Sequence, residues 1–311
     1  MENKQFESCA LIYNPVATKF KEKTLLECHH ILSNYFHNID IKFCKSEYPG
    51  HVIDLIKKEN DRDLILTLGG DGTVGEAYRA FDEIDQHAIY SHLSVGTTND
   101  MATNLNLSKT KPLKNLEELL TIGTVANIDT LHMDNQTFAY VSAFGYLSEV
   151  PYLTNSSLKK KLGHMAYVTT AVSKKDHLFN IDHMDLTYEI DGKKTDTNCI
   201  LTMITNFNES GGVRLHPYAD PTDGLFEVLM VKRITPSLFL EIFPQYLTGK
   251  INLKKYNEYI DIIQTDNIHF NFHSLPKYDI DNDGDKANSN IFDTKEVTYT
   301  LGKKIKILRK E

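Results

Sequence analysis

The sequence is poor in the features that would build a secreted or membrane-spanning protein. Only four cysteines, Cys9, Cys28, Cys44 and Cys199, occur in 311 residues, and no two form a C-x-x-C pair. That spacing argues against a disulfide framework and against a zinc site, and buried free thiols are the expected state. No window approaches the roughly 18 apolar residues that a membrane span needs. The apolar run in MENKQFESCALIYNP is too short for a signal peptide, so a cytoplasmic location is expected. Positive charge is also in short supply: 34 Lys and Arg face 42 Asp and Glu, a formal net charge of −8. Nucleic acid is therefore a poor fit as main partner. The locally basic segment LGKKIKILRK (301–310) reads as one solvated strand face. Repeats, low-complexity tracts and long linkers are absent.

What is present is ordinary for a globular protein, with 41% apolar and 24% charged residues. The length allows about two domains. Strand and helix signals alternate through the first third: CALIYNP (9–15), TLLECHHILSNYF (24–36), IDIKFCKS (39–46), HVIDLIKKEN (51–60), DLILTL (63–68), a helix from Thr73, IYSHLSV (89–95) and NLEELLTIG (115–123). Regular alternation predicts a parallel sheet covered on both faces. Beyond residue 127 strand patterns dominate, in IDTLHM, TFAYVSAF, MDLTYEI, CILTMITN, LFEVLMVK, YIDIIQT, IHFNFH and VTYTL, with helical patterns only at 157–175 and 236–249. The expectation is α/β plus β. A three-layer αβα domain with a mostly parallel sheet spans 1–127, and an antiparallel, sandwich-like β domain spans 128–301. Segment 302–311 returns to the first.

GGDGTVGEA (69–77) follows a buried strand and opens a helix. Its glycines let backbone amides approach an anion, and a helix N-terminus adds free N–H groups and a favourable dipole. A phosphate site and a ligand-free tight turn both satisfy that pattern. A dinucleotide fold would need an acid at the end of the next strand, about 20 residues on, but SVGTTND offers none before Asp100. No G-K-[ST] follows, which excludes a Walker A loop.

Two acidic stretches lie further on. In HPYADPTDGLFEV (216–228), Asp220 and Asp223 flank a turn and could face one hard cation, with the Leu225 carbonyl completing the set. Solvated aspartates in an Asx turn read equally well. In KYDIDNDGDKANSN (277–290), Asp279, Asp281, Asp283 and Gly284 match the start of an EF-hand loop. Asn290 stands where that loop needs Glu, and strands flank the segment, so an acidic hairpin tip is the alternative.

Taken together, Asn14-Pro15, GGDGT and the Gly96-Thr97-x-Asn99-Asp100 run resemble the diacylglycerol kinase catalytic family, which includes soluble bacterial lipid kinases and is similar to sphingosine kinases. The order of separated motifs extends the resemblance over nearly the whole chain: FAYVSAFGYLSEV (138–150) and KLGHMAYV (161–168) match its middle, and GGVRLHPYADPTDG its late strand approach. The resemblance implies that ATP is held by Asn14, Ser46, Gly69, Gly70, Asp71, Gly72, Thr73, Val74, Gly75 and Thr97. Asp71 would orient backbone or metal-bound water. It implies Mg2+ at Asp220, Asp223 and the Leu225 carbonyl, with Asp100 in the outer shell. It also implies that Asp283, in the family's D-G-E position, takes the acceptor's proton. Two residues depart from the family pattern: Gly75 replaces an Asn, and Asp285 replaces a Glu.

The implied activity is ATP-dependent phosphoryl transfer to a lipid alcohol such as diacylglycerol, reached by transient contact with a membrane surface. A homodimer through an exposed β edge is compatible with it. An NAD kinase shares GGDGT but lacks the later motifs. A non-catalytic nucleotide- or lipid-binding regulator is the third reading, favoured by Gly75 and Asp285. His164 reads as structural, and His216 as a support for the metal turn.

Overall fold

The computed structural model describes residues 6–146, 148, 182–210, 213–214, 216, 219–247, 250–289 and 291–310. The expected helix at 157–175, with His164, lies outside them. The chain forms two compact units, Met1–Thr130 with Lys303–Glu311, and Leu131–Gly302.

In the first unit β1 (Ser8–Tyr13), α1 (Glu22–Tyr35), β2 (Asp40–Lys45), α2 (His51–Glu59), β3 (Leu64–Gly69), α3 (Asp71–Glu83) and β4 (Ile89–Ser94) alternate. The short α4 (Asp100–Asn104) and α5 (Pro112–Ile122) follow, and β5 (Thr124–Met133) leads into the second unit. The strands pair in parallel in the order β2-β1-β3-β4. All six residues of β3 are buried, as a strand covered on both faces requires. Val74, Ala77, Tyr78 and Phe81 put an i, i+3, i+4, i+7 apolar stripe on α3. Helix α2 packs on α3 and α1 on α5, which supplies the two helical layers.

Helix α3 begins two residues before Thr73. Gly70 is extended and accepts the amides of Thr73 (3.0 Å) and Val74 (3.3 Å), so the helical ladder already starts at the glycine turn.

The second unit is antiparallel. It comprises β6 (Gln136–Phe138), β7 (Val141–Gly145), β8 (Met184–Ile190), β9 (Lys193–Thr205), the small pair β10 (Glu209–Ser210) and β11 (Val213–Arg214), β12 (Phe226–Lys232), α6 (Pro236–Leu247), β13 (Ile260–Thr265) and β14 (Asn267–Phe272). A hairpin of β15 (Asp281–Asn282) and β16 (Asp285–Lys286), the short α7 (Ile291–Thr294) and β17 (Glu296–Arg309) complete it, and β17 carries the chain back to the first unit. The long β9 pairs with β8 along its first half, and with β7 and β12 along its second. One core gathers Phe138, Phe144, Phe270, Phe272 and Tyr299 in edge-to-face contacts. A second lies under α6 and holds Tyr146, Leu229, Phe239, Ile242 and Ile260. This is the expected α/β plus sandwich-like β architecture.

The run TFAYVSAF is two strands, not one. It breaks at Ala139 and Tyr140, whose amides donate to the Asp283 carboxylate instead of to a neighbouring strand. The four cysteines are free and buried. Burial raises the thiols of Cys9, Cys28 and Cys199 well above their ordinary range, which keeps them protonated and unreactive.

Candidate functional site

In the first unit the chain steps from β1 out to β2, then returns past β1 to β3 and on to β4. The direction reverses between β1 and β3, and ligands of open α/β sheets bind at the carboxyl ends of strands at such a point. The strand ends here are stitched together. The amide of Ser46 donates to Tyr13 O (2.9 Å), Asn14 N to Leu68 O (2.9 Å) and Val95 N to Gly69 O (2.8 Å). Asn14, Ser46, the glycine turn and Gly96-Thr97 therefore share one edge. The loop after β1 crosses to the end of β4, where Lys19 N donates to Val95 O (2.8 Å) and the Thr18 and Thr97 hydroxyls bond at 2.9 Å. Asn14 Oδ1 accepts Val16 N (3.0 Å), which fixes the start of that loop.

Two glycines are required here by space, and a third is tight. A Cβ on Gly69 would lie 2.1 Å from Thr73 Oγ1, and one on Gly96 2.5 Å from Gly70 Cα, so the two turns sit back to back. A Cβ on Gly70 would in turn lie 3.3 Å from Gly96 Cα. Gly72 is open, with nothing within 4 Å of where a Cβ would be. Thr73, Val74 and Gly75 are buried, and the Thr73 and Val74 amides are already given to Gly70 O. The Asp71 and Gly72 amides precede the first bonds of the helical ladder, so they are among the donors that a helix N-terminus offers.

Asp71 is half-buried, and its Oδ1 accepts Met101 N at 3.1 Å, with a further backbone bond from Asn99. Its carboxylate thus binds backbone and ties the β3–α3 turn to the start of α4. Burial, and then the neighbouring Asp100, push its pKa up to about 6, against the pull of those amides and of Lys109. Asp100 is buried and accepts Lys109 Nζ at 2.9 Å. Asn99, at φ 56°, brackets Gly96 by accepting its N–H (3.0 Å) and donating to its carbonyl (3.2 Å). Glu76 accepts Gly50 N (2.9 Å) and Val52 N (3.1 Å), capping α2 from α3. Sequence reasoning passed over both roles. The signals were an Asn in the turn after β4 and a Glu beside the apolar stripe of α3.

In the second unit Asp220 and Asp223 are exposed and build two Asx turns. Asp220 Oδ1 accepts Thr222 N (3.0 Å) and its hydroxyl (2.7 Å), and Asp223 Oδ1 accepts Leu225 N (2.9 Å). Gly224, at φ 79°, closes the turn. Two residues beyond Leu225 stands Glu227, missed in the sequence although it is a charge within an apolar strand. It is 1% exposed, it accepts Gln264 Nε2 at 3.1 Å, and its pKa is pushed up to about 7 by burial, with Asp223 and Asp220 adding to the rise. Among the described residues no group of three or more His, Cys, Asp or Glu could hold a metal. His216 is buried, and burial lowers its pKa.

Asp283 (φ 56°) and Gly284 (φ 91°) form the two-residue turn of the β15–β16 hairpin, with the positive dihedrals of a type I′ turn. The Asp283 carboxylate accepts Ala139 N (2.6 Å), Tyr140 N (3.0 Å) and Val141 N (3.2 Å). The other acids diverge. Asp281 is buried and accepts Gly284 N (3.1 Å), Asp279 pairs with Lys286 (2.8 Å), and Asp285 is exposed. No calcium loop forms, and the acidic hairpin tip is the outcome.

The model of the diacylglycerol kinase catalytic domain matches residues 8–133, and that of the YegS C-terminal NAD kinase beta sandwich-like domain matches 140–290. A diacylglycerol kinase of Bacillus subtilis is 29% identical over 60% of this chain and 61% of its own length. One from Staphylococcus carnosus is 27% identical over 56% of each. The match thus spans about six tenths of these relatives' length. A solved diacylglycerol kinase structure from Bacillus anthracis superposes with a TM-score of 0.73 at 18% identity, covering 98% of each chain. A second structure from that organism reaches 0.79 at 21%, again over 98% of each. At such identities these structures establish the shared fold. With one family model over the first unit and another over most of the second, residues 8–133 belong to the diacylglycerol kinase catalytic-domain family.

Proposed function

We propose that the protein is an ATP-dependent lipid kinase that transfers the γ-phosphoryl group to the hydroxyl of a lipid alcohol such as diacylglycerol. The observation that carries this reading is the gathering of Asn14, Ser46, the Gly69–Gly75 turn and Thr97 at one strand edge, at the reversal point of the sheet. Such an edge suits a triphosphate, because the α3 N-terminus offers amides and its dipole favours negative charge. The similarity to the diacylglycerol kinase of Bacillus subtilis supports a lipid acceptor.

In the proposed reaction the lipid oxygen forms a bond to the γ-phosphorus. The bond from that phosphorus to the bridging oxygen breaks, ADP leaves, and the hydroxyl proton passes to Asp283. The three amide bonds at Asp283 hold its carboxylate in one orientation. Alignment and charge neutralisation supply most of the rate in such transfers. Asp220, Asp223 and the Leu225 carbonyl are an all-oxygen set that suits Mg2+, an ion that prefers oxygen and keeps several waters. Bound there, the ion would supply positive charge.

Labelled ATP offered with a panel of lipid alcohols, followed by extraction and chromatography, tests the reading. The wild type should label at least one lipid, and Asp283→Asn should label it about 10²- to 10⁴-fold more slowly. Equal labelling by both would remove Asp283 from its role, and no labelling of any lipid would remove the activity.

A further inference from the structure

A triphosphate at the glycine turn leaves the rest of its nucleotide to lie along the same edge. Going from β3 through β1 to β2, the edge ends at Ser46, two strand spacings or about 10 Å from Gly69. Two residues after Ser46 stands Tyr48. It is 55% exposed, yet it is clamped. Its ring stacks on His51 with centroids 4.4 Å apart and planes 6° from parallel. Its hydroxyl donates to Asp54 Oδ2 at 3.2 Å. His51 Nδ1 accepts Glu47 N at 3.1 Å, which assigns the remaining ring proton of the neutral imidazole to Nε2.

The loop carrying the pair is anchored to the helix that starts at the glycine turn, through the Glu76 bonds to Gly50 N and Val52 N. A single exposed aromatic needs no explanation. An aromatic with one face covered, the other open, and its position fixed relative to a phosphate turn is a stacking surface whose ordering cost is already met.

We infer that Tyr48, backed by His51, is the surface on which the aromatic base of the bound nucleotide stacks. This rests on the nucleotide reading above and adds the base subsite to it. Stacking acts on a π-face, so the subsite takes any nucleobase and favours the larger purines. The ligand class is a purine nucleoside triphosphate.

The test is calorimetric titration of the full chain with ATP and, separately, with inorganic tripolyphosphate, which has no base. Tyr48→Ala should weaken ATP roughly five- to 150-fold, the range for losing one base–aromatic stack, and leave tripolyphosphate unchanged. Tyr48→Phe, which keeps the ring, should bind ATP nearly as the wild type does. The sequence has no tryptophan, so Tyr48→Trp introduces a single indole at the platform. Its emission should change on adding ATP and not on adding tripolyphosphate.

The proposal is overturned if Tyr48→Ala binds ATP like the wild type, or loses both ligands equally. It is also overturned if the indole stays silent at ATP concentrations that calorimetry shows to be saturating. A wild type that binds tripolyphosphate and ATP with equal affinity removes the base subsite alone. One that binds neither removes the nucleotide reading as well.

Discussion

In each unit an aspartate beside a glycine, Asp71 in the first and Asp283 in the second, spends its carboxylate on backbone amides far away in sequence. Asp71 reaches residues 99 and 101, and Asp283 reaches 139–141. The difference lies in the surroundings. Asp71 is half-buried beside a second carboxylate, Asp100, which opposes its charge. Asp283 stands at a hairpin tip, where three amides converge on its two oxygens. An identical side chain is thus a strained tie in one unit and a well-solvated anion, with amides in place of water, in the other.

The largest effect expected from breaking this comparison is on turnover. Asp283→Asn should lower lipid phosphorylation about 10²- to 10⁴-fold, the usual worth of a positioned proton acceptor. Rates should be taken where circular dichroism shows the variant folded. Next comes stability. Asp283→Ala leaves three amides without their acceptor and should cost about 2–4 kcal/mol in urea unfolding, whereas Asp71→Ala should cost about 1–2 kcal/mol. Equal losses would show that the number of amides does not set the difference.

The turns themselves give a third break. In Gly96→Ala the new methyl meets Gly70 Cα at 2.5 Å, a backbone atom that cannot swing aside. A cost of about 1–3 kcal/mol is expected, together with weaker ATP binding by calorimetry. Gly72→Ala meets open space and should change unfolding by less than about 1 kcal/mol.

Periodicity was enough to read the layers, because burial on both faces of β3 and the apolar stripe of α3 are properties of neighbouring residues. Glycine spacing marked the turn for a related reason, since the close approach of backbone at Gly69 and Gly96 leaves no room for a Cβ. What the sequence did not disclose is where a carboxylate points. TFAYVSAF has the alternation of one unbroken strand, and nothing local says that Ala139 and Tyr140 give their amides to a residue more than 140 positions away. Asp281 and Asp283 are likewise alike by spacing, but one is buried and the other turned to the amides. Nothing local marks Glu76, since its cap on α2 depends on how two helices pack.

The smallest expected effect separates strain from support through pH. The folded-state pKa of Asp71 is raised from 3.8 to about 6, so the folded protein holds more protons than the unfolded chain between those values. Stability from this group is therefore complete below about pH 4 and lost as pH rises through about 6. Asp71→Asn keeps an amide oxygen to accept the Met101 N–H but has no charge to bury. Its urea midpoint should lack that decline, so the variant gains on the wild type as pH passes from 4 to 6. Glu227 sharpens the point in the second unit. Its pKa rises from 4.5 to about 7, chiefly through burial, so Glu227→Gln should gain over a window shifted upward, between about 4.5 and 7. A wild type and Asp71→Asn that keep parallel midpoints from pH 4 to 6 would mean that the carboxylate is no more strained in the fold than in the open chain. The contrast with Asp283 would then rest on the number of amides alone.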